Sequence, residues 1–144
     1  MVKERKNQGK RNRSLFKDIP DEIPSLLLAV HITRKASRVG FDWPNLEGIL
    51  NKMDEEMGEF REALACGNRK MVREEIGDLL FVLANIARFL RINPEEALRK
   101  TLKKFTSRFQ YIEARLREKG KNLLQSNLNE MDDLWEKAKR KEKR

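Results

Sequence analysis

A chain of 144 residues, 39% hydrophobic and 38% charged, is long enough for one domain with a real core and needs no disulfide to hold it. Seven Gly, four Pro and apolar positions recurring at helical spacing point away from a turn-rich β fold and towards helices. The net charge of +9 is gathered at the ends, since residues 1–13 and 137–144 each hold six Lys/Arg and one Glu, and a nearly neutral body argues against a groove built to track a nucleic-acid backbone.

The basic ends read as solvated tails. In chain order, the first helix is predicted over residues 24–39, with Leu27, Leu28, Val30 and Ile32 among its apolar positions and Gly40 ending it. Phe41-Asp42-Trp43-Pro44-Asn45 is a connector, because Pro44 pushes Trp43 out of helical conformation. A second helix follows over residues 46–66, stopped by Gly67-Asn68, and a third over residues 69–90. Asn93-Pro94-Glu95-Glu96 reads as an N-cap, a first-turn proline and acids at the positive helix end. The fourth helix runs to about Lys119, with Leu98, Leu102, Phe105, Phe109, Ile112 and Leu116 as one apolar stripe. Gly120 closes it, and a short final helix carries Met131, Leu134 and Trp135.

The most apolar run, residues 79–90, is broken by Asn85 and Arg88 and falls short of the roughly 20 apolar residues a bilayer span takes. No apolar segment follows the basic N-terminus, so no signal peptide is expected. Cys66 is the only cysteine, which suits a reducing compartment. The expectation is a soluble, cytoplasmic protein.

The chemistry concentrates on the second and third helices. Ile49, Met53, Met57, Phe60 and Leu64 mark the expected buried face of the second; Glu56 falls at its edge with Glu59 beside it, while Glu55 and Glu62 point further out. On the third, Val72, Ile76, Leu79, Leu83, Ile86 and Leu90 mark the expected core, and Glu75, Asp78 and Asn85 share a neighbouring stripe with Val82 and Phe89. The short link makes the two helices antiparallel neighbours. Glu59 and Glu75 each lie eight positions from Gly67, and Glu56 and Asp78 eleven, so each pair is level across the hairpin. Four converging, half-buried carboxylates need compensating positive charge, and an all-oxygen donor set suits Mg²⁺ or Mn²⁺. The plainer alternative is a solvated face in which Lys52, Arg61 or Arg73 pairs with these acids.

No P-loop sequence is present, and His31 is the only histidine, which excludes Glu-x-x-His di-iron pairs and a histidine-based zinc site. What remains is metal-assisted hydrolysis. Lys104 and Arg108, four apart on the fourth helix, flank its stripe where they could meet a triphosphate, or could equally form a solvated basic flank. Trp135 could stack on a base or anchor packing.

Glu55-Glu56-Met57-Gly58-Glu59 followed by Glu75-Ile76-Gly77-Asp78 resembles the paired EExxE and ExxD motifs of the MazG nucleoside triphosphate pyrophosphohydrolases, members of the all-α NTP pyrophosphatase superfamily. Arg38-Val39-Gly40-Phe41-Asp42-Trp43, Gly77-Asp78-Leu79-Leu80-Phe81 and Asn93-Pro94-Glu95-Glu96-Ala97-Leu98 with Lys104-Phe105 are similar too, so the likeness covers roughly residues 19–139. It implies that Glu56, Glu59, Glu75 and Asp78 hold Mg²⁺, that Lys104 and Arg108 contact the triphosphate, that Trp135 packs near the nucleobase, and that the protein is a dimer. The third helix supports the dimer independently, being apolar around most of its circumference from Leu79 to Ala87. The chain departs from many relatives in carrying one such domain, resembling a C-terminal copy, and in placing Gly58 inside the motif helix.

The resulting expectation is an all-α bundle of four to five helices whose central antiparallel hairpin carries the metal site. A basic tail would occupy residues 1–18, a MazG-like domain 19–139 and a second basic tail 140–144. The expected activity is Mg²⁺-dependent hydrolysis of NTPs and dNTPs to the monophosphate and pyrophosphate, in house-cleaning or nucleotide-pool control. Glu55, Glu56, Lys104 and Arg108 are the candidate catalytic residues, and Lys52, Glu55, Asn85, Lys104, Arg108 and Trp135 the candidate substrate contacts. Either Glu55 or a metal ligand would serve as the base. The expected partners are the nucleotide and a second copy of the chain, with no membrane and at most weak nucleic-acid contact through the tails. Two other classes stand beside this: a non-enzymatic helical module whose tails bind RNA, DNA or protein, and a nucleotide sensor without turnover.

Overall fold

The computed structural model describes residues 14–143, and the expectations for residues 1–13 and for Arg144 lie outside them. Among the described residues the fold is helical throughout, with α1 Ser25–Arg38, α2 Leu46–Cys66, α3 Arg69–Phe89, α4 Pro94–Glu118, a 3₁₀ turn Leu123–Gln125 and α5 Leu128–Glu142. The all-α fold expected from the periodicity is therefore what forms, with five α-helices among the described residues. The chain divides into two compact units, Met1–Glu95 and Glu96–Arg144, so the stretch expected to be one domain spans both.

In the first unit α3 packs against both α2 and α1. Sequence sets the helix ends locally. Asn45 accepts from the Gly48 amide at 3.0 Å and Asn68 from the Met71 amide at 3.2 Å, each satisfying a first-turn donor that has no partner inside its helix. Gly67, at φ +65°, ends α2 one residue before Asn68 opens the way into α3, which turns the chain through the hairpin in two residues. At the end of α1 the Gly40 amide bonds to Ser37 and the Phe41 amide to Ala36, a Schellman closure made at φ +93° by a residue with no Cβ. The end of α3 closes by the same bonds, Arg91 to Arg88 and Ile92 to Ala87, but with Arg91 at φ +60° in the left-handed position.

The buried faces differ from the expected ones. On α2 the inward residues are Ile49, Glu56 and Ala63, whereas Met57 and Leu64 are exposed. On α3 they are Val82, Ala84 and Asn85, whereas Ile76, Leu83 and Leu90 are exposed. The stripe that carries the acids thus holds the buried Val82 and Asn85, while the stripe expected as the α3 core is only half-buried at Val72, Leu79 and Ile86 and exposed at Ile76, Leu83 and Leu90. Counting apolar residues finds the wrong face here because α3 is apolar on nearly every side, so periodicity cannot choose between its stripes.

The second unit is an antiparallel pair: Arg108 of α4 meets Glu142 at the end of α5, and Lys119 meets Glu130 near its start. Ile112, Leu116 and Leu134 form its core, with Phe109, Leu123, Met131 and Trp135 packed around them. Asn122 and Gln125 form a reciprocal capping box at the 3₁₀ turn, and Asn127 caps α5. The final helix, expected to be short, has 15 residues and reaches Glu142, so residues 140–142 are helix rather than tail. Lys139, Arg140 and Lys141 occupy its last turn, where positive charge suits the negative helix end. The 25-residue α4 outruns this partner, which leaves Leu98 and Leu102 of the expected apolar stripe exposed while Phe109, Ile112 and Leu116 are covered.

Candidate functional site

The hairpin places three of the four predicted acids together. Carboxylate oxygens of Glu56, Glu75 and Asp78 all lie within 4.8 Å of one another, an arrangement able to hold a metal ion. Glu56 is only 6% exposed, Glu75 half-buried and Asp78 exposed, so the cluster opens from the helix interface to the surface. Glu59 is exposed outside this trio, yet it feels it: the charge of Glu56 is the largest cause raising the Glu59 pKa.

Electrostatics divides the acids. The Lys52 ammonium lies 2.9 Å from Glu56 and 3.1 Å from Glu55, holding Glu56 below the usual carboxylate range against the opposing effect of burial. Lys52 is itself raised, chiefly by Glu56. Desolvation pushes Glu75 up, followed by a side-chain hydrogen bond with Glu56 and then the charges of Glu59, Glu56 and Asp78. The Oε2 atoms of both Glu56 and Glu75 are buried without a hydrogen-bond partner among the described residues. A buried carboxylate oxygen without a donor is costly, and a cation is the ordinary way to satisfy it. The donor set, oxygen only and open on one side, fits a hard divalent ion. The plainer alternative of a salt-bridged face is realised only in part, because Lys52 serves Glu55 and Glu56 and leaves those two oxygens without a donor.

One cavity adjoins the cluster and a second adjoins the first, within the same unit. A small one of about 200 Å³ is lined by Lys52, Glu56, Asp78 and Asn85 together with Trp43, Phe81 and Val82. A larger one of about 520 Å³ shares Trp43, Phe81 and Asn85 with it and extends to Phe16, Thr33, Phe41, Asp42 and Arg88. Asn85, a predicted substrate contact, therefore stands where the two meet. Trp43, Phe81 and the Asp42–Arg88 pair were missing from the sequence expectation. A Phe-Asp-Trp run before a proline was the only local signal, and the 46-residue separation of Asp42 from Arg88 hides their pairing.

Lys104, Arg108 and Trp135 belong to the second unit, which brings them together. The Arg108 guanidinium sits 5.1 Å from the Trp135 ring centroid and makes a bidentate pair with Glu142 at 2.8–3.2 Å. Phe105 packs on Trp135 at 5.3 Å. Glu142 is held below the usual range, first by Arg108 and also by the charge of Lys104.

The class defined by this arrangement is an all-α protein whose helical hairpin gathers a carboxylate cluster able to hold a cation. Residues 45–112 match the family model of the MazG nucleotide pyrophosphohydrolase domain. The chain is 40% identical to the nucleoside triphosphate pyrophosphohydrolase/pyrophosphatase MazG of Thermotoga maritima over 132 residues, which is 92% of this chain and 51% of that protein. It is 34% identical to the nucleoside triphosphate pyrophosphohydrolase of Escherichia coli K12 over 143 residues, covering 98% of this chain and 54% of the relative. The uncharacterized protein YabN of Bacillus subtilis is 49% identical over 73 residues, 51% of this chain and 15% of that protein. The chain belongs to the MazG family. It spans about half the length of the first two relatives. Among the described residues no helix is long and apolar enough to cross a membrane.

Proposed function

We propose that this chain hydrolyses nucleoside triphosphates, ribo- or deoxyribo-, to the nucleoside monophosphate and pyrophosphate, with Mg²⁺ or Mn²⁺ held by Glu56, Glu75, Asp78 and the adjacent Glu59. The observation that carries this is the Glu56–Glu75–Asp78 cluster with two buried, unsatisfied oxygens on a helical hairpin. The activity for which the Thermotoga and Escherichia relatives are named supports it. When bound, such a cation polarises phosphoryl oxygens and lowers the pKa of water.

The chain's own residues supply the rest. Lys52, at the rim of the smaller cavity, offers positive charge to phosphate oxygens once its pairing with Glu56 is loosened. Glu55 is the exposed partner of Lys52 and a candidate to accept the proton of the attacking water, with a metal-site carboxylate as the other candidate. Lys104 and Arg108, in the second unit, offer positive charge to phosphate oxygens, and the pair with Glu142 shows the Arg108 guanidinium taking an anionic group. Trp135 backs the guanidinium plane and fixes where it points. The exposed Ile76, Leu80, Leu83 and Leu90 on α3 and Leu50, Met57 and Leu64 on α2 support a homodimer that covers them. The resulting role is control of the nucleotide pool.

The test is incubation with each common NTP and dNTP and Mg²⁺, separating pyrophosphate from orthophosphate. The expected products are monophosphate and pyrophosphate, with EDTA abolishing their release. Diphosphate and orthophosphate would overturn the reading.

A further inference from the structure

The hairpin holds acid in excess of its partners, and the same unit holds the reverse where the end of α3 meets α1. A cavity of about 480 Å³ is lined there by Arg34 of α1, by Arg88 and Arg91 at the end of α3, and by Leu27, Val30 and Ile92. Its volume lies in the range of small-molecule sites. Three guanidinium groups line it and no carboxylate does.

One of the three is already balanced. Arg88 donates through both terminal nitrogens to Asp42, at 2.6 and 3.1 Å, and through Nε to Asn85 at 2.8 Å. Its side chain is only 9% exposed. A guanidinium carries five N–H groups, so each terminal nitrogen keeps one without an acceptor among the described residues, where little water reaches it. Arg34 and Arg91 are exposed and make no ion pair among the described residues. With Asp42 set against Arg88, both of their charges are left over.

Arg91 stands there against its backbone preference. At φ +60° it is the one non-glycine with positive φ among the described residues. The bonds that close α3, Arg91 to Arg88 and Ile92 to Ala87, repeat those that close α1, where Gly40 takes the left-handed position with no Cβ to strain it. Glycine would close α3 as well, so closure does not account for an arginine. A residue held in a sparsely populated conformation points to the role of its side chain. A merely solvated basic face needs neither that strain nor a buried guanidinium with donors to spare.

We propose that this cavity is an anion site for a small phosphate-bearing molecule, whose oxygens Arg34 and Arg91 clasp and Arg88 meets with its remaining N–H groups. Guanidinium forks match phosphate oxygens pairwise. Three cations against one acid favour a ligand of two or more negative charges, a phosphomonoester or pyrophosphate rather than a carboxylate. Leu27, Val30 and Ile92 offer apolar surface to an organic portion. The site is separate from the proposed hydrolysis, to which none of the three arginines is assigned.

The test is calorimetric titration with sodium pyrophosphate in EDTA, so that no cation bridges the probe to Glu56, Glu75 and Asp78. Arg91→Gly removes the guanidinium while suiting the left-handed backbone, so it should melt close to wild type and bind pyrophosphate about 10-fold or more weakly. Arg34→Gln should lose a similar factor. Lys104→Ala, in the second unit, should keep the wild-type affinity. Sodium acetate at equal concentration should not compete. The proposal is overturned if wild type does not bind, if Arg91→Gly and Arg34→Gln bind as wild type does, if the loss is confined to Lys104→Ala, or if acetate competes as well as pyrophosphate. No turnover enters the measurement, so its outcome stands whether or not triphosphates are cleaved.

Discussion

Both units of this protein pair a carboxylate with a cation at close range, and they leave different things behind. In the second unit Arg108 takes both oxygens of Glu142, and Glu130 receives Ser126, Lys119 and Lys121. In the first unit Lys52 takes one oxygen of Glu56, while the other, and one of Glu75, are buried with no donor among the described residues. Ion pairs alone do not mark a site. What distinguishes the hairpin is acid in excess of its internal partners, placed where water cannot make up the difference.

The sharpest way to break that comparison is to neutralise one acid in each unit. Glu56→Gln should lower pyrophosphate release on the order of 100-fold or more, because it removes a charge from the proposed cation site. Glu130→Gln alters a carboxylate already satisfied by Ser126, Lys119 and Lys121 and should leave kcat/KM within a few-fold. Equal losses in the two variants would mean that the satisfied carboxylate is as much a part of the chemistry as the unsatisfied one.

How much of this could be read from the residues alone follows the same division. The helix ends were legible because they are local: asparagine caps, Gly40 and Gly67 act within a turn of where they stand. The convergence of Glu56, Glu75 and Asp78 was legible because a two-residue link makes both helices count from one origin. The inward face of α3 was not, since it is apolar on several sides and only the packing of α1 and α2 selects among them. The level pairing of Glu59 with Glu75 was expected from spacing, whereas the observed trio joins Glu56 to Glu75 and leaves Glu59 outside on the exposed side of α2. The Asp42–Arg88 pair spans 46 residues, and no local rule reaches that far.

A second test uses the cation itself. A site that exists only in the folded state couples binding to stability, so Mg²⁺ at 100 times its dissociation constant should add about 2.7 kcal/mol. Melting curves in EDTA and in rising Mg²⁺ would show it. Asp78→Asn should lose most of the increment, whereas Glu130→Gln in the second unit should keep it. An equal response in all three proteins would place cation binding elsewhere.

Asp42 provides a case in which an acid of the first unit is fully partnered. Arg88, hydrogen-bonded to it, is the largest cause lowering its pKa from the ordinary 3.8 to about 2. A folded pKa below the unfolded one contributes stability at pH values above the unfolded pKa, and this is lost as pH falls through the folded value. Asp42 is exposed and solvent screens the pair, so Asp42→Asn should cost only about 1 kcal/mol at pH 7, with the difference from wild type shrinking between about pH 4 and pH 2. A gap independent of pH, measured by urea unfolding, would mean that Asp42 acts through its turn geometry rather than its charge.

The smallest effect expected is opposite in sign and comes from Glu75. Its pKa is raised, first by desolvation and then by the acids around it, so without a cation its charged form is a burden on the folded state. In the unfolded chain the same group is hydrated and separate from Glu56 and Asp78. Because the folded pKa lies above the unfolded one, the folded protein holds the extra proton in the interval between them, and stability declines as pH rises through that interval. Glu75→Gln keeps the shape and removes the charge. In EDTA at pH 7 it should melt slightly above wild type, and the advantage should vanish at a pH below the ordinary carboxylate range, where Glu75 is protonated in both states. In saturating Mg²⁺ the order should reverse, because the variant loses a ligand and the wild type gains its counter-charge. That crossing is what separates an unbalanced site from a merely buried acid: if Glu75→Gln is the less stable protein both with and without the cation, the carboxylate is a structural hydrogen-bonding group and the contrast between the two units fails at its most exposed point.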